Sequence, residues 1–201
     1  MNNEQWLANV CRIHIVGGPG SGKTTLARAL AQQRNVRAYD LDEVGYEGGA
    51  GAKRSPAARQ ADVTRILAQP GWVTEGVFLW WVDDLLAAAE VVIWLDLAWP
   101  LVAWRIVTRH IKLSWQGTNR HPGLRKLLGF LRWVRSYYAT PFPASPSHAN
   151  DDSAVSRVAA GQYLAGYQSK LIHCQTPKEV KALYRVCWLP VGESVPPQAA
   201  E

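Results

Sequence analysis

Gly17-Gly18-Pro19-Gly20-Ser21-Gly22-Lys23-Thr24 fits the pattern G-x(4)-G-K-[ST], with Thr25 following. Glycines at this spacing let backbone N–H groups turn inward around an anion without Cβ atoms in the way. A lysine directly after them reaches the outer phosphates of a nucleotide, and the next threonine hydroxyl can ligate Mg²⁺. A helix beginning there offers its positive end to the same anion. Residues 17–25 therefore predict a phosphate loop (a Walker A sequence) for ATP and Mg²⁺.

Asp40 and Asp42 stand two apart at the end of the next apolar segment. In an extended chain they share a face. One would hold Mg²⁺ through water while the other orients or deprotonates an acceptor hydroxyl. The same pair reads equally well as solvated acids at a strand end.

The third feature is a charge pattern. Residues 97–150 contain no Asp or Glu but eight Lys and Arg, within a chain of net charge +6. In the helix expected after Pro100, Arg105, Arg109 and Lys112 recur at i, i+4 and i+7, on one face. Trp104, Val107 and Ile111 form a neighbouring stripe suited to the core. A second helix repeats the design, with Arg125, Arg132 and Arg135 beside Leu124, Leu127, Leu131 and Val134. Such a block attracts polyanions, either nucleotide phosphates or nucleic acid. Ten tryptophans are many for this length. Interleaved with arginine they could stack bases, but their apolar positions favour packing.

Elements must place these groups. The pattern predicts strands over residues 11–16, 36–41, 72–74, 91–95 and 171–175. Helices are predicted over 24–34, 55–68, 82–89, 100–113, 124–139, 153–168 and 177–185, with Ser55-Pro56 opening the second. Residues 45–51 and 140–152 read as loops, and the tail from 190 as loose. Alternating strands and helices imply a parallel sheet covered on both faces. His14 and His173, inside apolar strands, read as core residues. Thr176 with Glu179 reads as a capping box. With 201 residues and 48% apolar content the chain suits one domain. The apolar runs are too short to span a bilayer, no secretory signal is evident, and Cys11, Cys174 and Cys187 suggest no disulfide framework. A cytoplasmic protein is expected.

From His14-Ile15-Val16 through the phosphate loop to Leu26-Ala27, and then Asp-x-Asp, the chain resembles the adenylate/shikimate-type small-molecule kinases. More narrowly it resembles the small P-loop proteins labelled DNA topology modulation protein, through Leu41-Asp42, Trp72-Val73, Trp104-Arg105, Arg109 and Thr176-Pro177-Lys178-Glu179-Val180. The resemblance implies a three-layer P-loop NTPase fold with a five-stranded parallel sheet and a helical basic lid over residues 100–150. It implies Asp40 near Mg²⁺, Asp42 near the acceptor, and an acceptor segment over 45–70 in which Arg59 contacts an anion. Arg105 and Arg109 become lid residues that neutralise the transferring phosphoryl group. The third strand ends Glu75-Gly76 where the narrower group has Asp-Gly. Gly76 would let a substrate approach the backbone, and Glu75 would assist Mg²⁺. The function expected is ATP- and Mg²⁺-dependent phosphoryl transfer to a nucleoside, nucleotide, sugar or hydroxy acid, with no membrane partner. Two rivals are a nucleotide-binding regulator acting on nucleic acid through the basic, Trp-rich half, and a nucleotide-binding protein without catalysis.

Overall fold

The computed structural model describes residues 10–119, 121–140 and 155–187. Five parallel strands, β1 (Arg12–Gly17), β2 (Arg37–Asp40), β3 (Trp72–Gly76), β4 (Val91–Leu95) and β5 (Leu171–Cys174), form one sheet in the order β2-β3-β1-β4-β5. The order follows from composition. β3 and β4, buried along their whole length, sit inside the sheet beside β1, while the partly polar β2 and β5 take the edges.

Helices cover both faces. Against one lie α1 (Lys23–Arg34), α5 (Trp99–Trp115), α6 (Leu124–Ala139) and α8 (Pro177–Cys187), which join Ile13, Ile15, Val73 and Ile93 in one apolar layer. Against the other lie α2 (Leu41–Gly45), α3 (Pro56–Leu67), α4 (Asp83–Ala88) and α7 (Arg157–Leu164), packed on Val16, Trp72, Val92 and Trp94. This is a three-layer α/β architecture, with α5 and α6 forming the basic hairpin. Among the described residues no helix is long and apolar enough to cross a membrane.

Local chemistry sets the helix ends. Ser55 caps α3 by accepting the Ala58 N–H at 3.2 Å, with Pro56 at the first helical position. Thr176 and Glu179 form the expected reciprocal box at α8: the Thr176 hydroxyl accepts the Glu179 N–H at 3.3 Å, and Glu179 accepts the Thr176 N–H at 3.0 Å.

Several expectations are corrected. The second strand stops at Asp40, because Asp40 turns to cap α2, its Oδ1 accepting the Asp42 N–H at 2.9 Å. Asp40 and Asp42 therefore do not share a strand face. Residues 45–51 are not an open loop. They hold a 3-10 turn (Glu47–Gly49), closed by Glu47 N–H to Ala52 carbonyl at 2.8 Å and Arg54 N–H to Gly45 carbonyl at 2.9 Å. Trp104 and Ile111 do not face the core. The buried row of α5 is Val102 and Ile106, and Trp104 lies half a turn away from it. Of the expected helix over 153–168, residues 153 and 154 lie outside the description, as do most of the loop expected over 140–152, Arg120 and the tail from 190. What is described there is α7, capped by Ser156, followed by a 3-10 segment (Ala165–Lys170).

His14, on β1, is fully buried, with Nδ1 2.7 Å from Thr74 Oγ1 and no hydrogen-bond partner at Nε2. Burial pushes its pKa from 6.5 down to about 3. A depressed histidine pKa gives stability that is present above pH 6.5 and is lost as pH falls toward 3. Between pH 7 and pH 4 this one group should remove on the order of 3 kcal/mol. Urea unfolding at the two pH values should show a flatter acid limb for His14→Gln than for the wild type. Equal limbs would refute the assignment.

Candidate active site

The carboxyl edge of the sheet gathers the chemistry. β1 ends at Gly17 and the loop enters α1 through Gly22, whose φ of 98° is open to glycine, with no side chain capping the helix. The first-turn N–H groups are thus left for an anion. Gly20 is required twice over. Its φ is 80°, and a Cβ there would lie 3.0 Å from both Val102 and Ile106 of α5. Gly17, Gly18, Pro19 and Ser21 complete the turn, and Thr25 faces a cavity of about 320 Å³ beside it, with Arg105, Arg109 and Tyr184 opposite.

Asp40 and Glu75 are register partners on β2 and β3. Glu75 is buried. Neither carboxylate oxygen makes a close hydrogen bond, and the Lys23 ammonium stands 3.6 Å away. Burial pushes the Glu75 carboxyl up, while Lys23 and then the Thr24 hydroxyl pull it down. Asp42 is raised by burial and next by Asp40, with Lys23 opposing. One charge cluster therefore joins Lys23, Thr24, Asp40, Asp42 and Glu75.

The buried oxygens of Glu75, the free oxygen of Asp40 and the Thr24 hydroxyl suit a divalent cation carried by phosphate. Among the described residues no three His, Cys, Asp or Glu side chains are grouped to hold a metal by themselves. Mg²⁺ in phosphoryl-transfer sites takes one or two carboxylates and fills its octahedron with water and phosphate oxygens, so the residues present fit it.

Asp42 opens onto a cavity of about 440 Å³ walled by Tyr46, Phe78, Trp133 and Tyr137, and it is the only charged side chain among the described residues lining it. The Tyr137 hydroxyl is buried without a hydrogen-bond partner, and burial holds it well above the usual phenol range. Its ring also lies against Gly18, where a Cβ would meet it at 3.1 Å.

Other predicted residues fall differently. Arg59 is 2% exposed, with Nε and Nη1 lacking hydrogen-bond partners and its guanidinium 5.1 Å from the Trp81 ring. It lines a separate cavity of about 480 Å³ with Trp80 and Gln60. Phe78, which lines the Asp42 cavity, pairs with Trp81, which lines this one, at 4.9 Å between centroids. Gly76 leaves no room for a substrate, since Leu41 Cβ and a Phe78 ring carbon already lie 3.0 and 3.1 Å from where its Cβ would be. Arg105 reaches the loop, donating from Nη1 to the Ser21 carbonyl at 2.9 Å.

Sequence reading missed a second cluster. Asp96, buried just past β4, accepts Arg157 Nε at 2.6 Å and Nη2 at 2.9 Å, and pairs with His173 Nε2 at 3.0 Å. His173 is not a core residue. It stacks on Trp94 at 4.1 Å from the exposed edge strand β5. Asp96 and Arg157 also act electrostatically on Tyr137 and Tyr138, whose phenol is pushed up to about 12 mainly by burial. These partners lie 61 and 77 residues apart, so no local spacing reveals them. The acid that follows an apolar strand is the only signal that was available.

No protein-family model matches the chain, and no curated protein matches it. Similar solved structures include a shikimate kinase from Bacteroides thetaiotaomicron, 14% identical, with TM-score 0.45, covering 88% of this chain and 95% of that one. A gluconokinase from Sinorhizobium meliloti is 13% identical, with TM-score 0.44 and coverage of 88% and 91%. A sugar kinase from a Janibacter species is 14% identical, with TM-score 0.44 and coverage of 91% and 96%. At this similarity the substrates of those enzymes remain properties of those enzymes, and the chemistry of this chain rests on its own side chains.

Proposed function

We propose that the protein transfers the γ-phosphoryl group of ATP to a hydroxyl of an uncharged small molecule, of nucleoside or sugar type, held beside Asp42. One observation carries this reading: the cavity that Asp42 enters is walled by aromatic rings and has no cationic side chain among its described lining. A phosphate or carboxylate on the acceptor would lose its hydration there without a partner. Arg59 lines a different cavity.

In the proposed reaction the acceptor oxygen attacks the γ-phosphorus as the bond to the β-phosphate oxygen breaks, and ADP leaves. Asp42 receives the hydroxyl proton. The 17–25 loop binds the phosphates through its backbone N–H groups, and Lys23 turns from Glu75 to the γ-phosphate. Thr24, Asp40 and Glu75 would hold Mg²⁺, which supplies neutralisation of charge on the phosphate oxygens. The aromatic walls, the Tyr137 ring among them, exclude water. Arg105, already on the loop, and Arg109 beside it neutralise the transferring group. Arg105→Ala should lower kcat by about 10²–10³ in steady-state ATP turnover, and an unchanged kcat would remove the residue from this role.

The proposal is tested by acceptor-dependent ADP formation across nucleosides, sugars, nucleotides and hydroxy acids. Turnover is expected with an uncharged member. ATP binding with transfer to none of them would favour a nucleotide-binding protein without catalysis.

A further inference from the structure

The large apolar side chains that stand exposed among the described residues, Trp104, Ile111, Trp115, Leu124, Leu128 and Trp133, all belong to the α5–α6 hairpin. Trp133 is accounted for by the Asp42 cavity. The others are not. On α5, Trp104, Ile111 and Trp115 recur at i, i+7 and i+11, a single row half a turn from the buried Val102 and Ile106. Trp115 is 91% exposed and Leu124 74%, and they flank the polar turn at 116–123. On α6, Leu124 and Leu128 stand at i and i+4, and Arg132 and Arg135 continue their row.

Cations surround this surface. Lys112 follows Ile111 and Arg125 follows Leu124, within a stretch, 97–150, that has no acidic residue. Apolar rows bordered by Lys and Arg on a helix surface suit the boundary between lipid headgroups and acyl chains, and tryptophan partitions there. We propose that the outward face of the hairpin docks on an anionic lipid bilayer, lying in its interface without crossing it.

Three observations favour lipid over other occupants. The cationic, acid-free stretch complements a negative surface. Ile111, Leu124 and Leu128 are aliphatic, so base stacking would leave them without partners, whereas acyl chains cover them. A second copy of the chain would bring two cationic faces together. The opposite side of the hairpin stays on the phosphate loop through Arg105 and Tyr137, so docking leaves the site in place.

The full chain should co-sediment with phosphatidylcholine vesicles containing about one-third phosphatidylserine and not with phosphatidylcholine alone. Tryptophan emission should shift to the blue on binding. The double variant Trp104→Ser/Trp115→Ser, and separately Lys112→Glu, should each weaken partitioning by at least about tenfold, with circular dichroism and ATP binding unchanged. Absence of binding to the anionic vesicles, or equal binding by all variants, overturns the proposal. Binding of single-stranded DNA without vesicle binding, or self-association without either, overturns it as well and names the occupant instead.

Discussion

Asp42→Asn should lower kcat for phosphoryl transfer by about 10²–10⁴, the range for loss of a positioned general base. The KM for ATP should move little, because the nucleotide contacts proposed above lie on the 17–25 loop. The substitution is a clean one. Asp42 joins α2 through its backbone N–H, which donates to Asp40, and an asparagine keeps that cap and the side-chain shape. Burial and then Asp40 raise the Asp42 carboxyl above the usual range, with Lys23 opposing. A base of raised pKa is empty only above that pKa, so wild-type kcat should rise with pH through a limb displaced upward from ordinary carboxylates. That limb should vanish in the variant. A pH profile identical in both proteins would show that the proton goes elsewhere.

Lys23→Ala should lower turnover by about 10²–10³, the range for losing a preorganised charge on the transferring group. It also strands Glu75, whose buried carboxylate would lose the cation 3.6 Å away. Breaking a buried pair from one side leaves an uncompensated charge, so Lys23→Ala should be less stable than wild type at neutral pH. Adding Glu75→Gln should return stability in a urea titration without returning turnover. If turnover returned with stability, the lysine would be holding the fold and not the phosphate.

The strand, glycine-rich loop and helix around residues 17–25 were legible because their signals are consecutive residues adjacent in the chain. The capping box at Thr176 and the proline-led start of α3 were legible for the same reason. What the sequence concealed depends on contacts between distant segments. Asp40-x-Asp42 looked like a strand face, and only its own side chain, closing on the Asp42 N–H, turns it into a helix start. Gly76 looked like an opening for substrate, but Leu41 and Phe78 fill it. The Asp96–Arg157–His173 cluster joins three elements and has no motif. Trp104 and Ile111 were placed inward by periodicity, which fixes that residues share a face but not which face finds a partner. The cavity proposed for the acceptor takes Tyr137 and Trp133 from α6, far in sequence from Asp42.

The most direct measurement of the central claim compares matched acceptors: a nucleoside with its monophosphate, and a sugar with its phosphate. Each is incubated with ATP labelled at the γ-phosphate, and label on the acceptor is quantified. Label on the uncharged member of a pair, lost in Asp42→Asn, is the predicted result. Label confined to the phosphorylated members would contradict it, placing the acceptor's anion at Arg59 and the reaction outside the aromatic cavity.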